Sequence, residues 1–461
     1  MFTIRDFINR AKNIISAADI ESACRERSVI SSEMAAELLN WNDIYQNKAA
    51  WLNKDSDTKS LNLGVSIAAE FARLVMLELK SEVNEKDARG KFINGVYQKY
   101  LEKLRPAVER ACALGGVCFK PYVADGEIKV DVIDPLDFIP LESDDEGRTT
   151  AAVFLSRKDK GAKRYTKLEV HKFSNNSEQV RNICYCSSVP ESSLGNRCVL
   201  GEVSEWAKLP EQFVIKDIAE PLFCYFKMPF SNEVDRLSPL GVSVYSRAVE
   251  LLRDADEQYT RFLWEFEGGE LAVFADQTML KNNSMPAHHK RIFKKLTFGL
   301  NTSGDTDFYH EYSPTLRDES LKNGLNTILR RIEFSCSLAY GTLSEVSDTE
   351  KTAEEIRNSK QRSYAAVRDI QNSLEHSLRE LAYIIGVWGG IYGMCEGTGN
   401  IEMSFEWDDS IVSDRAQEFT EKTQLVRDGI MQPWEFRAWY FGEDKETAKR
   451  MVAADAELDT E

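Results

Sequence analysis

The sequence predicts an α+β protein that is mainly helical and is divided into several structural regions. Its 461 residues exceed the size at which a single hydrophobic core stops growing. The hydrophobic period is helical up to about residue 110, changes to two from about residue 117, and becomes helical again from about residue 242. No internal repeat or low-complexity tract interrupts this order.

Residues 1–110 are predicted to be helices joined by short polar loops. Two apolar sets recur there at helical spacing: Ile67, Phe71, Leu74 and Val75, and then Phe92, Val96, Tyr100 and Leu104.

The middle of the chain has the pattern of a sheet. Residues 117–123 and 128–133 alternate on either side of the turn at 124–127, which predicts a hairpin that ends at Asp134-Pro135. Further strands are predicted at 152–157, 168–173, 179–186 and 222–227.

Three long amphipathic helices follow. The first is predicted over 242–267, roughly 39 Å in length, and stops at Gly268-Gly269. A small mixed module follows, and then come a helix at 317–340, a polar loop at 341–350 and a helix at 352–388.

Periodicity alone favours an antiparallel three-helix bundle for these elements. However, a module of roughly 45 residues separates the first two helices, where a bundle has a short turn. We therefore expect an elongated hairpin with a small domain at its tip.

The C-terminal part returns to a strand and then to helices. Residues 401–407 alternate, and we expect this strand to rejoin the earlier sheet. The tail 411–457 is predicted to be helical, with Gly429 ending one helix and Pro433 beginning the next.

The net charge is −17, from 58 basic and 75 acidic residues, and it argues against a protein that wraps nucleic acid. It is compatible with a protein that lets DNA slide past, and equally with ordinary solubility charge. No signal peptide or membrane span is present, which predicts a cytoplasmic protein without membrane contact. The nine cysteines form no Cys-x-x-Cys pair, so we expect reduced thiols and no metal.

Enzymatic motifs are missing from the sequence. There is no phosphate loop, dinucleotide turn, His-Glu-x-x-His or Gly-x-Ser-x-Gly, so we predict no catalytic residue, no cofactor and no enzyme activity. The acidic clusters at 142–146 and at Asp254, Asp256 and Glu257 are interpreted as a solvated loop and a solvated helix face.

The densest basic run spans residues 288–295. It is either a docking patch for an acidic partner or DNA, or a solvated face. Its candidate docking residues are Lys290, Arg291, Lys294 and Lys295.

Three segments resemble the portal proteins of tailed bacteriophages of the siphophage type. Residues 230–245, with the helix containing 252–259, resemble the segment that leads into the stem of that family. Residues 351–364 look like its helix after the tunnel loop, and 409–430 look like its C-terminal crown. The resemblance covers roughly residues 60–450 and is weakest over 174–215.

The resemblance implies a ring of about twelve identical subunits at one capsid vertex. Double-stranded DNA would pass through it, and its partners would be the terminase, a head-completion or adaptor protein, the scaffold and the major capsid protein. The protein would be located in the virion, and in the host cytoplasm during assembly. The implied regions are a wing (1–240), a first stem helix (241–268), a clip (269–316), a second stem helix (317–340), a tunnel loop (341–350), a long helix with a returning wing strand (351–410) and a crown (411–461).

On this resemblance, the loop 341–350 lines the channel and touches DNA transiently. Its hydroxyls would hydrogen-bond phosphate weakly, and its carboxylates would repel the backbone, so that DNA is guided without being gripped. The residues concerned are Thr342, Ser344, Glu345, Ser347, Asp348 and Thr349.

Two other classes of function remain open from the sequence. One is a nucleic-acid-processing enzyme with a carboxylate metal site, which needs no phosphate loop. The other is a generic structural adaptor unconnected with DNA.

Overall fold

A computed structural model describes residues 17–52, 57–77, 79–188, 194–270, 272–276, 293–296, 309–345, 353–396, 401–407 and 415–458. These residues mix helices and strands and confirm the α+β class. They divide into two compact units, one within 1–76 and 81–404 and the other within 77–80 and 405–461.

The N-terminal region is helical, as predicted, apart from one short strand. Side chains cap two of its helices, because Ser31 accepts the N–H of Met34 and Asp87 accepts the N–H of Gly90. The elements are α1 (Ala17–Cys24), α2 (Ser32–Tyr45), α3 (Leu63–Val75), β1 (Lys80–Val83), α4 (Ala88–Leu101) and α5 (Arg105–Leu114).

The middle region contains two antiparallel sheets. Its strands are β2 (Gly116–Ala124), β3 (Glu127–Ile133), β4 (Phe138–Ser143), β5 (Thr149–Lys160), β6 (Lys163–Ser174), β7 (Ser177–Ser188), β8 (Asn196–Cys198), β9 (Gln212–Lys216) and β10 (Cys224–Lys227). One sheet has the order β10-β2-β3, and the other has the order β4-β5-β6-β7-β8, with β9 also paired to β7.

The predicted hairpin between β2 and β3 is confirmed. Ala124 pairs with Glu127, and the two residues between them, Asp125 and Gly126, have φ values of 55° and 79°. Two consecutive left-handed residues make the tight turn that fits the twist of an antiparallel pair, which explains the Asp-Gly sequence.

The three long helices are α6 (Val249–Gly268), α7 (Asp318–Ser335) and α8 (Ala353–Ile391). Between α6 and α7 lies a small mixed sheet of β11 (Ala272–Asp276), β12 (Phe293–Leu296) and β13 (Tyr309–Tyr312). In it, β11 pairs parallel with β12 and antiparallel with β13.

Helix α6 begins later than predicted, because residues 242–248 are not α-helical. Val244 instead donates its N–H to the carbonyl of Cys112, at 3.0 Å. Just before it, Gly115 and Gly241 approach so closely that a Cβ atom on either would lie 2.3 or 2.1 Å from the carbonyl oxygen of the other. This contact with the start of β2 holds the segment in a non-helical conformation.

Helix α8 packs against α3, α4 and strands β2 and β10, instead of completing a bundle with α6 and α7. Helices α6 and α7 pair with each other. The pairing of α6 with α7 agrees with a hairpin of two helices and not with a three-helix bundle. The α8 residues predicted to form one stripe and found buried are Val367, Ile370, Leu374, Leu378, Leu381 and Ile385.

The strand after α8 is β14 (Met403–Glu406), and the prediction that it rejoins the earlier sheet is wrong. It pairs with β1, which lies in the region predicted to be wholly helical. Alternation predicts a strand but does not name its partner.

The second unit contains the predicted C-terminal helices, α9 (Arg415–Arg427), α10 (Pro433–Phe441) and α11 (Lys445–Leu458). Gly429 follows α9 with a φ of 72°, and Gln432 and Glu435 form a capping box at the start of α10. The predicted glycine stop and proline start are both confirmed. Over the described part of the chain, no helix combines the length and apolar character needed to cross a bilayer.

Candidate functional site

The candidate channel loop begins shortly after α7, which ends five residues before the predicted end at residue 340. Ser337 has a φ of 61°, in the left-handed region, and Leu338 donates its N–H back to the carbonyl of Glu333 at 2.8 Å. This helix stop turns the chain toward Gly341 and the loop that follows.

A buried glutamate in α7 holds the first half of the loop. Glu333 is fully buried, and its Oε1 accepts the N–H groups of Gly341, Leu343 and Ser344 at 3.1, 2.6 and 2.8 Å. Its Oε2 accepts the hydroxyl of Ser344 at 2.8 Å. A buried carboxylate needs such donors to replace its lost water, so the loop and Glu333 stabilise each other.

A second contact fixes the far end of the described loop. Glu345 donates its N–H to Oδ1 of Asn326 at 2.8 Å, and its carbonyl accepts Nδ2 of Asn326 at 3.2 Å. The Glu345 carboxylate lies 2.7 Å from Nζ of Lys322, and this hydrogen bond raises the pKa of Lys322. Residues 341–345 are therefore attached to α7 at two points.

The structure describes three of the six predicted loop residues. Thr342 is exposed and donates its hydroxyl to the carbonyl of Ala339 at 2.6 Å. Ser344 is buried with its hydroxyl committed to Glu333, and Glu345 is exposed but ion-paired. Ser347, Asp348 and Thr349 lie outside the described residues. In this conformation the hydroxyl of Ser344 is thus not available to phosphate.

The opposite end of the hairpin is closed by an ion pair. Arg317 donates Nε and Nη2 to the two carboxylate oxygens of Glu265 at 3.1 and 2.7 Å, and its N–H also reaches Glu265, at 2.9 Å. These hydrogen bonds from Arg317 lower the pKa of Glu265 to about 2. Because Arg317 directly precedes α7, the module between the helices leaves and returns at this end.

The four predicted docking residues lie in that module. Lys290 and Arg291 are outside the described residues. Lys294 and Lys295 lie on β12, in register with Phe274 and Ala275 of β11. The register places two of the four residues together on one strand of the mixed sheet.

The hairpin exposes large apolar side chains. Trp264 on α6 is 63% exposed and Phe334 on α7 is 61% exposed. The guanidinium of Arg362 lies over the ring of Phe334, 4.5 Å from its centre, and thus covers part of it. Such side chains indicate a contact surface when they recur along one element.

One acidic cluster differs from its interpretation as a solvated helix face. Asp256 is buried, because the chain at 50–52 and 57–61 covers this side of α6, and it accepts Nε1 of Trp51 and the N–H of Leu61 at 2.9 and 2.8 Å. Burial raises the pKa of Asp256. Residues 142–146 are exposed, as expected, although 142 and 143 form the end of β4 and only 144–146 belong to the loop. Within the described ranges, no group of His, Cys, Asp and Glu is arranged to hold a metal ion.

Comparison with models of protein families finds a match over nearly the whole chain. The family model described as phage portal protein, SPP1 Gp6-like, matches residues 30–461. The chain belongs to this family. No curated protein matches the chain.

A portal protein is a structural component of the virion, placed at a capsid vertex as a ring through which DNA passes. The family assignment favours the portal class over the two other classes that the sequence left open, because the portal family is structural and is connected with DNA passage.

The sequence analysis did not identify the residues that hold 341–345 in place. Glu333 follows Leu329 by one helical turn, inside the apolar stripe of α7. A carboxylate at a stripe position signals a buried partner, and this signal was present in the sequence. Asn326 and Lys322 carried no such signal, because polar residues on an amphipathic helix are normally solvated.

Proposed function

We propose that this portal protein assembles as a ring of about twelve subunits that conducts DNA during packaging and at ejection. The observation that carries the proposal is the helical hairpin, which has an inserted module at one end and a loop anchored by Glu333 at the other. These are the parts that a subunit needs to bind a partner outside the capsid and to face DNA inside the ring.

The apolar stripe of the hairpin supports a ring. The stripe of α8 is buried within the subunit, whereas many side chains of the stripes on α6 and α7 are only half-buried there. In a closed ring each subunit offers its neighbour a different surface, so both outer faces of a hairpin are covered. The half-buried stripe residues are Leu251, Tyr259, Phe262, Leu263, Leu321, Leu325, Ile328 and Leu329.

In this proposal the chain has the same regions that the resemblance implies. The stem is 241–268 with 317–340, the clip is 269–316 and the tunnel loop is 341–350. The closure of the hairpin by Glu265 and Arg317 supports the placement of the clip at its tip. The remaining regions are the wing, at 1–240 and 351–410, and the crown, at 411–461.

In this proposal the loop guides DNA with the residues that follow Glu345. Glu333 and Asn326 hold residues 341–345 on the helix, and the rest of the loop follows this fixed segment in the sequence. This stretch contains Ser347, Asp348 and Thr349, which combine weak phosphate contacts with backbone repulsion.

The partners in this proposal are the terminase during packaging, head-completion or adaptor proteins at the clip, and scaffold and major capsid proteins around the ring. Assembly takes place in the host cytoplasm, and the subunit has no catalytic activity of its own. The clip residues Lys290, Arg291, Lys294 and Lys295 dock the next protein of the head–tail junction.

Ring formation is tested by light scattering and negative-stain imaging of the purified chain. We expect rings with a central hole, and fewer of them for Trp264→Ser, because Trp264 is largely exposed within the subunit. Val214→Ser, at an exposed apolar residue of β9, is the matched control and should leave the rings unchanged. A folded monomer at every concentration, even with capsid and scaffold partners present, would contradict the proposal.

The tunnel loop is tested by deleting residues 346–349, which keeps every contact described for Glu333. We expect intact rings that package or retain less DNA. The control is Thr423→Val, which removes a hydroxyl of α9, outside the loop, and should leave DNA content unchanged. Normal DNA content and packaging rate in the deletion would return the loop to an ordinary connection.

The clip is tested by reversing the charges of its four basic residues. We expect intact rings, incomplete particles and the loss of salt-sensitive partner binding. The control reverses Lys158, Lys160 and Lys163, which are exposed on the β5–β6 hairpin. Unchanged particle completion in the clip variant would show that the docking site lies elsewhere.

A further inference from the structure

Two cysteines face each other across neighbouring strands of the six-stranded sheet. Cys184 on β7 and Cys198 on β8 are directly opposed in antiparallel register. Their sulfur atoms lie 3.2 Å apart, with the thiol of Cys198 donating to that of Cys184. Directly opposed residues of antiparallel strands have Cα atoms about 4.5–5.5 Å apart, which falls within the range that a disulfide spans.

We propose that Cys184 and Cys198 are a modification site, at which oxidation forms an intrachain disulfide once the particle has left the reducing host cytoplasm. The sulfurs need to approach by only roughly 1.2 Å to reach bonding distance. The claim that the disulfide forms in a released particle rests on the proposed function. The ability of the two cysteines to form it rests on the strand geometry alone.

The third cysteine of this region is a natural comparison. Cys186 lies two residues from Cys184 on the same strand, but it is opposite Asn196. Cys186 and Cys198 are diagonal neighbours, whose Cα atoms lie about 7–8 Å apart in an antiparallel pair, and this separation exceeds the span of a disulfide. A bond between them would require the two strands to slip by two residues. The geometry therefore selects Cys184 as the partner of Cys198.

The reaction needs an oxidant, and a small-molecule disulfide such as oxidised glutathione supplies it. The thiolate of one cysteine attacks the small disulfide and releases one small thiol. The second cysteine then attacks the mixed disulfide, which forms the Cys184–Cys198 bond and releases the other small thiol. Two protein thiols are oxidised and one small disulfide is reduced.

The surroundings of the pair favour a slow reaction with a stable product. Burial raises the pKa of Cys198 to about 12 and also raises that of Cys184, so few thiolates exist near neutral pH. The two thiols pack on a small apolar cluster formed by Tyr165, Leu200, Val203 and Trp206. A bond there ties β8 and its connecting chain to β7, since it closes a loop of roughly 15 residues.

The test uses the full-length chain, purified under reducing conditions and then exposed to oxidised glutathione. After thiol alkylation and digestion, we expect one crosslinked peptide pair joining Cys184 to Cys198 and an intact mass lower by about 2 Da. The crosslink should form faster as the pH rises, because the thiolate is the nucleophile. The midpoint of thermal unfolding should rise on oxidation and return on reduction.

Two variants sharpen the result. Cys186→Ser should keep the crosslink, and Cys198→Ser should lose it. If the folded wild-type chain keeps both thiols open to alkylation after prolonged oxidation, or if Cys186 takes the place of Cys184, the proposal is wrong. None of these readouts requires a ring, so a failure of the proposed function would be detected separately, by imaging.

Discussion

Two buried carboxylate sites in the first unit satisfy their charge in different ways. One lies between the two antiparallel sheets, where Glu169 and Glu178 meet charged side chains. The other is Glu333, whose partners are backbone N–H groups and a hydroxyl of the loop. The first site joins strands of two sheets, whereas the second joins a helix to the loop that we propose faces DNA.

The site between the sheets is a compact charge cluster. Glu169 accepts Nζ of Lys120 at 2.9 Å and Nζ of Lys167 at 2.6 Å, and it also meets Nε2 of His171 at 2.9 Å. The other nitrogen of His171 contacts Glu178. Lys120 belongs to β2 of the smaller sheet, so the cluster ties that sheet to the larger one.

The two sites differ in how much of the protein is destabilised when a charge is removed. Removing one charge from the cluster leaves other buried charges without a partner, and this destabilises the whole subunit. Removing the charge of Glu333 weakens the hydrogen bonds from the backbone donors of one short loop, and a loop opens locally at lower cost. The second arrangement is compatible with the proposed role of the loop, since a locally held loop can move without unfolding the subunit.

The largest expected effect is that of Glu169→Gln. This change leaves Lys120 and Lys167 buried without their counter-charge, and we expect the free energy of unfolding to fall by about 3–5 kcal/mol. Denaturant unfolding at a fixed protein concentration measures it. The control is Asp159→Asn, which breaks the exposed pair with Arg164 and should cost far less, because solvent screens that pair. Equal losses in the two variants would mean that the cluster is no more stabilising than a surface pair.

The next effect is that of Glu333→Gln, which keeps the shape of the side chain but removes its charge. We expect a local cost of about 1–3 kcal/mol, seen as faster hydrogen exchange at the amides of Gly341, Leu343 and Ser344. Global unfolding should change less than it does for Glu169→Gln. Unchanged exchange at these amides would show that Glu333 does not hold the loop.

A similar contrast, between local and distant contacts, explains which features of the fold could be predicted from the sequence. Period and turn signals predicted the hairpin at 117–133 and the long helices, because each depends on residues close in the chain. The partner of β14 and the start of α6 depend on distant contacts, namely β1 and the close approach of Gly115 to Gly241. Period alone carries no information on such contacts.

The candidate site could be predicted only in part, because its contacts also depend on residues that are distant in the sequence. The loop was located from its polar composition between two helices, and the family assignment agrees with the proposed class of protein. However, the hydroxyl of Ser344 is bound to Glu333, and the pairing of two side chains 11 residues apart is fixed by the turn at Ser337. Along β6, Lys167, Glu169 and His171 alternate with apolar residues, a pattern that is typical of a strand with one solvated face. In the structure this face is covered by the smaller sheet, from which Lys120 contacts Glu169.

A smaller effect is the pH dependence of the cluster. Burial alone would lower the pKa of His171, but hydrogen bonds to Glu169 and Glu178 outweigh it and raise the pKa. A raised pKa means that the stabilisation is complete below the ordinary value near 6.5 and is lost as the pH rises through the folded-state pKa. Unfolding midpoints measured from pH 6 to 9 should therefore fall in the wild type and stay flatter in His171→Gln.

The control for this pH series is His376→Gln. Glu380 raises the pKa of His376 through a hydrogen bond, but the side chain of His376 is 70% exposed, so solvent screens the interaction. This variant should keep the wild-type profile. A profile that flattens in His376→Gln and not in His171→Gln would place the titrating group outside the cluster.

The smallest expected effect is that of Lys322→Gln, at the second attachment of the loop. Lys322 and Glu345 are 54% and 68% exposed, and an exposed ion pair contributes little to stability and weakens with salt. The amide of Glu345 keeps its hydrogen bond to Asn326, and Glu333 still holds the preceding residues, so hydrogen exchange in the loop should increase only slightly and only at low salt. If Lys322→Gln released the loop as fully as Glu333→Gln does, the anchor would be the surface ion pair, and the distinction between buried and exposed attachment would not hold for this loop.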